Sequence, residues 1–312
     1  MISMFNDSKW EIRSYPRLFH AQSAESLGIT RHGLFHTDRY PVVLPGIRMD
    51  RESFDRFRTP RWADQSWESE TLRLRAAVLK FPHVVASHAS AARVYGWPLP
   101  PRLMTNRLHV STNDIDTRIR MPQVTLHRTP HFSKWRWLDL PVLKPEDVFI
   151  SLATELSVHD LVMLGDAAIG KWHGPPQTNI ADLRRRLDGY PRVRGRRHLL
   201  EALELIRPKV DSPAETKLRL WARAVGLPEP VVHPQIRSRL LTRVIEPDLG
   251  YPDKKLALEY EGEQHLRSKD QWISDIDRDE AMVYAGWTVL KVTSRTDMQQ
   301  LEAKIRDHLD LL

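Results

Sequence analysis

The sequence predicts a mixed fold, α/β in its elements and α+β overall, spread over more than one domain. Three observations predict it. Apolar residues recur at helical spacing in some stretches and at strand spacing in others along the 312 residues. That periodicity breaks at residues 58–67, a polar stretch around Pro60, and again at residues 208–212. Beyond the second break the elements read α-β-β-β-α-β-α. A single hydrophobic core usually stops growing before a chain reaches this length, so the breaks divide the sequence into regions 1–60, 61–208 and 209–312.

In the first region, residues 19–27 and 30–36 carry short helical patterns, followed by an extended stretch at 40–49 that Pro45-Gly46 interrupts. This is the outline of a small winged helix. The middle region opens with a helix over 68–80 and a small-residue run over 86–95. Strand-like pieces at 108–112 and 123–128 then mix with helices near 145–156 and 159–169.

The third region is sharper. Ser212-Pro213-Ala214-Glu215 is a capping box with proline at the first helical position, where a missing N–H costs nothing, and Gly226 stops the helix. Strands at 231–236, 243–249 and 256–261 follow, separated by turn residues including Gly250 and Pro252-Asp253. Residues 269–285 return to helical spacing and Gly286 ends them. A buried-type strand at 287–292 comes next, and Thr296-x-x-Gln299 caps a last amphipathic helix.

With 41% hydrophobic and 28% charged residues the composition is that of a soluble protein, and no apolar run of about 18 residues marks a membrane span. Residues 1–20 are interrupted by charges and lack the apolar core of a secretory signal. Zero cysteines exclude a disulfide framework, a zinc–cysteine site and a thiol nucleophile, and together these features predict a cytoplasmic protein. A formal net charge of +7 favours a polyanionic partner, because each Lys or Arg placed on a phosphate releases a condensed counterion. Arg184, Arg185, Arg186, Arg192, Arg194, Arg196 and Arg197 crowd just ahead of the third region. No Gly-rich phosphate loop, G-x-S-x-G or H-E-x-x-H is present, so nucleotide hydrolysis, serine esterase and zinc protease chemistry find no support, nor does a small-molecule cofactor.

Strand alternation puts Glu259 and Glu261 on one face, with Leu258 and Tyr260 on the other. A hairpin turning at residues 252–255 brings Asp248 to that face, opposite Glu259 or two positions off. Three acids so placed repel one another unless a cation sits among them, and a divalent ion with oxygen ligands is the usual remedy. The same acids read as the solvated face of an antiparallel sheet. Against that, Leu256-Ala257-Leu258 before the pair and Gly262 after it look like a buried central strand ending at a site. Glu215, fourth in its capping box, has a local task in reaching back to the cap amide as well as any role as a ligand. His32 and His36 have the i, i+4 spacing of a helical metal site without an acidic third ligand nearby. Lys134-Trp135-Arg136-Trp137 interleaves cations with aromatics, which reads as core tryptophans with outward cations ahead of a base-stacking surface.

These residues also carry a family resemblance. Ser212-Pro213-x-Glu215, Glu246-Pro247-Asp248, Leu258-Glu259-Tyr260-Glu261-Gly262-Glu263-Gln264-His265, then Trp272, Asp275, Arg278 and Gly286-Trp287 resemble, in that order, the very-short-patch-repair (Vsr)-like endonuclease domain of the PD-(D/E)XK superfamily. The resemblance implies a restriction-endonuclease-like core that hydrolyses DNA phosphodiesters by in-line attack of water. It implies Mg²⁺, with Mn²⁺ as a substitute, held by Asp248 and Glu259 with Glu215 as auxiliary ligand. His265 would give or take a proton, or else close the strand-to-helix turn. The superfamily carries a lysine two residues after the acidic ligand. Glu261 stands there, where the nearer family often has Asp, and would serve as base or second-metal ligand. Arg278 fits a phosphate clamp or a salt bridge with Asp275 at helical spacing.

Upstream, Leu27-Gly28-Ile29-Thr30-Arg31, Val43-Leu44-Pro45-Gly46-Ile47 and Ala86-Ser87-His88-Ala89-Ser90-Ala91-Ala92 with Gly96 resemble the AbiEi-type antitoxin-like region that often precedes this nuclease domain. That resemblance implies a winged helix on duplex DNA, with Arg31, His32 and Arg39 as contacts. Two functions follow as expectations: a Mg²⁺-dependent DNA endonuclease, or a DNA-binding regulator whose nuclease-type domain has lost turnover.

Overall fold

A computed structural model of the chain describes residues 15–36, 38–60, 62–129, 132, 134–241, 244–262 and 269–311. The fold is α+β, with three separate sheets and helices among them. It divides into two compact units. The first takes the described residues up to Leu164 together with His173–Leu203, and the second takes Gly165–Trp172 and Glu204 onward. No helix among the described residues is long and apolar enough to cross a membrane.

The first unit begins with β1 (Leu18–His20), α1 (Arg31–His36), β2 (Val42–Leu44), β3 (Ile47–Met49) and α2 (Arg51–Asp55). The strands form an antiparallel sheet of order β1-β3-β2 with Phe19 opposite Arg48. The helix expected at 19–27 is instead this first strand and two 3-10 turns, closed by Gly28 at φ 74°. Backbone pairing with β3 overrides a helical pattern only two turns long, and isolated helices that short are unstable. Phe19, Ala24 and Leu34 form the small core here.

The elements α3 (Gln65–Lys80), β4 (Val85–Ala86), α4 (His88–Tyr95), β5 (Leu108–Thr112), β6 (Val124–Arg128), β7 (Lys134–Trp137) and β8 (Leu140–Leu143) follow, with α5 (Pro145–Ser151), α6 (Val158–Ile169), α7 (Ile180–Asp188) and α8 (Arg196–Leu205). The five strands pair in the order β6-β5-β4-β8-β7. Small side chains let α4 lie buried over Ala89–Tyr95. β7 is an edge strand, and the reading of both its tryptophans as core holds only for the half-buried Trp137, 5.6 Å from Tyr95. Trp135 is 40% exposed under the ammonium of Lys144, because an edge strand has a neighbour on one side only.

The second unit carries α9 (Pro213–Ala224), β9 (Val231–Val232), β10 (Leu249–Tyr251), β11 (Leu256–Tyr260), α10 (Lys269–Tyr284), β12 (Thr288–Val292) and α11 (Met298–His308). Its sheet has the order β12-β11-β10-β9, with β11 and β12 parallel and the other pairs antiparallel. Alternation along β11 explains the layers. Leu256 and Leu258 pack with Leu218 and Ala222 of α9 and Leu301 and Ile305 of α11, while Ala257 packs with Ala281 and Met282 of α10. Leu258 is fully buried, so Leu258→Ala would cost about 2–5 kcal/mol.

Three expectations are corrected here. The strands read at 231–236 and 243–249 shrink to β9, β10 and one bridge between Ile236 and Ile245. Pro234 has no N–H for a ladder and His233 sits at φ 47°, so pairing stops between them. β10 then starts only at Leu249. Gly250 is required in it, because a Cβ there would lie 2.7 Å from the Leu256 carbonyl oxygen. The last helix is capped by Asp297, whose side chain accepts from the Gln299 and Gln300 amides, and not by Thr296, whose hydroxyl accepts from the Thr293 amide.

Candidate metal centre

Glu215 enters the site through the local geometry of α9. Ser212 Oγ accepts the Glu215 amide at 3.2 Å, and Glu215 Oε2 accepts the Asp211 amide at 2.9 Å, one residue before the cap. The capping box therefore fixes the first turn and aims the carboxylate. The helix is anchored by a buried network. Asp166, with no exposed surface, accepts from the Arg207 amide at 2.8 Å, Thr216 Oγ1 at 2.8 Å and Arg219 at 2.9 Å.

His233 and Asp248 reach the same point from the strands. The β9–β10 register puts them opposite each other, and the His233 amide donates to the Asp248 carbonyl at 3.1 Å. Asp248 sits one residue before β10, and its Oδ2 accepts the Tyr260 amide at 2.7 Å. His233 Nε2 lies 3.3 Å from Glu215 Oε2. One ligand atom from each of Glu215, His233 and Asp248 falls within 4.8 Å of the others. Two carboxylate oxygens and one imidazole nitrogen form a donor set that fits a divalent cation, the carboxylates suiting Mg²⁺ or Mn²⁺ and the imidazole the later transition metals.

The electrostatics of the cluster follow from burial and mutual repulsion. Burial pushes the Asp248 carboxyl up, the Tyr260 amide pulls it back, and the neighbouring Glu215 raises it again. The hydrogen bond to Glu215 raises His233 against the opposing effect of its own burial. A cation beside Asp248 would relieve a carboxyl that burial and a neighbouring carboxylate hold back from ionising.

The expected ligand Glu259 is engaged otherwise. It is 6% exposed; Arg278 of α10 donates to its Oε2 at 3.0 Å and holds a second nitrogen 2.9 Å from its Oε1. Burial lifts its carboxyl, Arg278 pulls it back and Asp248 pushes it up again, leaving it at about 7. Arg278 also donates to the Glu246 carbonyl at 2.8 Å. It therefore makes an ion pair with Glu259, while the side chain of Asp275 lies outside the described residues. Glu261, where the resemblance calls for a lysine, has the Lys291 ammonium 3.0 Å away, and Lys291 also pairs with Asp279 at 2.7 Å. His265 lies outside the described residues. In the first unit Arg31 and His32 are exposed on α1, and Arg39, 55% exposed, pairs with Glu52 at 3.0 Å.

The structure thus brings Glu215 and Asp248 together and adds His233, which the sequence reading missed. A polar residue between a valine pair and Pro234 was its one local sign. Lys291 was missed as well; the parallel β11–β12 register that sets it beside Glu259 is invisible until the sheet is known.

Among known proteins, no family model matches the chain. Two uncharacterized proteins of Mycobacterium tuberculosis, MT2308 of strain CDC 1551 and Rv2248 of strain H37Rv, are each 32% identical over 126 residues, 38% of this chain and 45% of theirs. The chain therefore spans less than half the length of these curated relatives. The crystal structure of the RV2827C protein from Mycobacterium tuberculosis aligns over 71% of this chain and 83% of its own, at 17% identity and a TM-score of 0.37.

Proposed function

We propose that the second unit is a metal-dependent DNA endonuclease. The observation that carries the reading is the convergence of Glu215, His233 and Asp248 from three separate segments. Glu215, His233 and Asp248 would hold the cation, Mg²⁺ or Mn²⁺. Once bound, it would supply Lewis-acid polarisation of the scissile phosphate and neutralise charge on the leaving oxygen. The chain's own groups do the rest. The Tyr260 amide orients Asp248, the capping box orients Glu215, and Lys217, on the wall of the adjoining cavity, meets the strand's phosphates. The net charge of +7 and the exposed Arg31 and His32 of the first unit favour DNA as partner.

Incubation of the full chain with supercoiled plasmid tests this. Nicked or linear product is expected with Mg²⁺ or Mn²⁺, none with EDTA, and a loss of at least about 100-fold in Asp248→Ala, the scale on which one catalytic electrostatic group acts. A second reading, a DNA-binding regulator with an inactive nuclease-type domain, is favoured by the two-point hold of Arg278 on Glu259. Plasmid bound but uncut with either metal would make it the better one.

A further inference from the structure

Strands β11 and β12 run parallel, and their carboxyl ends share one edge of the sheet, where ligand crevices form in open sheets. A cavity of about 640 Å³ opens at that edge, bounded by α9, the ends of both strands and the start of α11. Glu215 and Asp248 stand in its wall, so whatever fills it lies against the acidic cluster. The rest of the wall is of another character: Trp221, Tyr260 and Met298 present half-buried apolar surface, with Lys217 exposed beside them.

We infer that this cavity receives one unstacked base of a DNA strand, so that the preferred substrate is DNA with an unpaired nucleotide rather than intact duplex. The inference rests on the nuclease reading of the same site. A phosphodiester backbone by itself is met by cations and amides, not by tryptophan, tyrosine and methionine. A base offers a π-face to such a wall while its own phosphate stays at the rim, near Lys217 and the cation ligands. The volume lies within the range of about 300–1,000 Å³ in which proteins enclose single small ligands. Bases of an intact duplex cannot enter without being extruded. That costs a few kcal/mol and is least for a base already unpaired, which gives the cavity its selectivity.

The test uses the full chain carrying Asp248→Asn, which stops cleavage and lowers the negative charge of the site, in EDTA. It is titrated into a short DNA oligonucleotide with one central 2-aminopurine, single-stranded or fully paired, and base fluorescence and end-label anisotropy are read together. The single strand is expected to bind more tightly and to change its 2-aminopurine emission. Trp221→Ala in that background should weaken it about 5- to 160-fold, the range that stacking one base is worth. Gly262→Phe gives a second route to the same loss. Among the described residues a Cβ at Gly262, on the cavity wall, meets nothing within 4 Å, so a ring there is directed at the cavity and not at the described core. Equal affinity for single strand and duplex, or an affinity that both variants leave unchanged, overturns the inference. Plasmid cut by the wild type with no single-strand preference would sink the base cavity alone. A single-strand preference with no cleavage in either metal would sink the nuclease and leave the cavity standing.

Discussion

Two histidines of this chain, one in each unit, share a backbone conformation and differ in chemistry. His88, at the start of α4, has φ 49°, and His233, just after β9, has φ 47°. Both end a strand. His88 stacks on His127 with ring centroids 3.6 Å apart, and His109 Nδ1 lies 3.1 Å from His127 Nε2. Burial, then the neighbouring histidines, pulls His88 down to about 3 and His127 to about 4. His109 is lowered by burial, then by Arg93 and Arg107. His233 moves the other way, because Glu215 accepts from it and Asp211 and Asp248 stand near. Backbone does not separate the two: burial dominates at His88, whereas at His233 the neighbouring carboxylates outweigh it. The first group is a neutral aromatic stack, and the second is a cluster with the donor atoms of a candidate cation site.

The largest effect that could break this contrast lies in the anchor of α9. Arg219→Ala leaves Asp166 buried without its guanidinium, and denaturant unfolding should show a loss of about 3–5 kcal/mol. A loss below about 1 kcal/mol would mean that Glu215 is not held in advance of any ligand.

Next in size is the response to a cation. Mn²⁺ at about 100 times its dissociation constant should raise stability by about 2.7 kcal/mol, and Asp248→Ala should abolish the rise. Protonated imidazole is no ligand, and His233 holds its proton to a higher pH than an ordinary histidine. Cation affinity is therefore full above that raised value and lost as pH falls through it. Thermal shifts at pH 8 and pH 6 would check this, and an affinity indifferent to pH would remove His233 from the site.

The first unit should respond to acid alone. Its stacked His88, His109 and His127 have folded-state values below the unfolded one, so the unfolded chain takes up protons first. The stability is fully present above about pH 6.5 and is lost as pH falls toward the lowered values near 4 and 3. His127→Phe should flatten this acid limb in urea unfolding at pH 7.5 and pH 5, and an unchanged limb would show that the stack does not set it. The smallest expected change is Arg39→Ala. Its pair with Glu52 is exposed, so the loss should lie in the range of about 0.2–1 kcal/mol. Such a value would mark how far the buried Arg219–Asp166 pair departs from a surface one.

The sequence by itself determined what is local. The capping box at Ser212 and Glu215, the helix after it, the buried run Leu256-Ala257-Leu258 and the helix from Lys269 are readable because their causes span a few residues: a side chain meeting an amide three positions away, or a repeat of 3.6 or 2. The short strands at 231–251 were misjudged where β-propensity competes with Pro234 and a left-handed His233. Glu215 and Asp248 were named from the family resemblance, and tertiary structure alone added His233 and gave Glu259 to Arg278. Glu215, His233 and Asp248 stand 18 and 15 positions apart in the chain. No periodicity connects such distances; they close only when strand register and the docking of α9 are set by burial of the whole core. The same packing brought Arg278 to Glu259 and Lys291 to Glu261, leaving the carboxylates that the sequence grouped together with different partners.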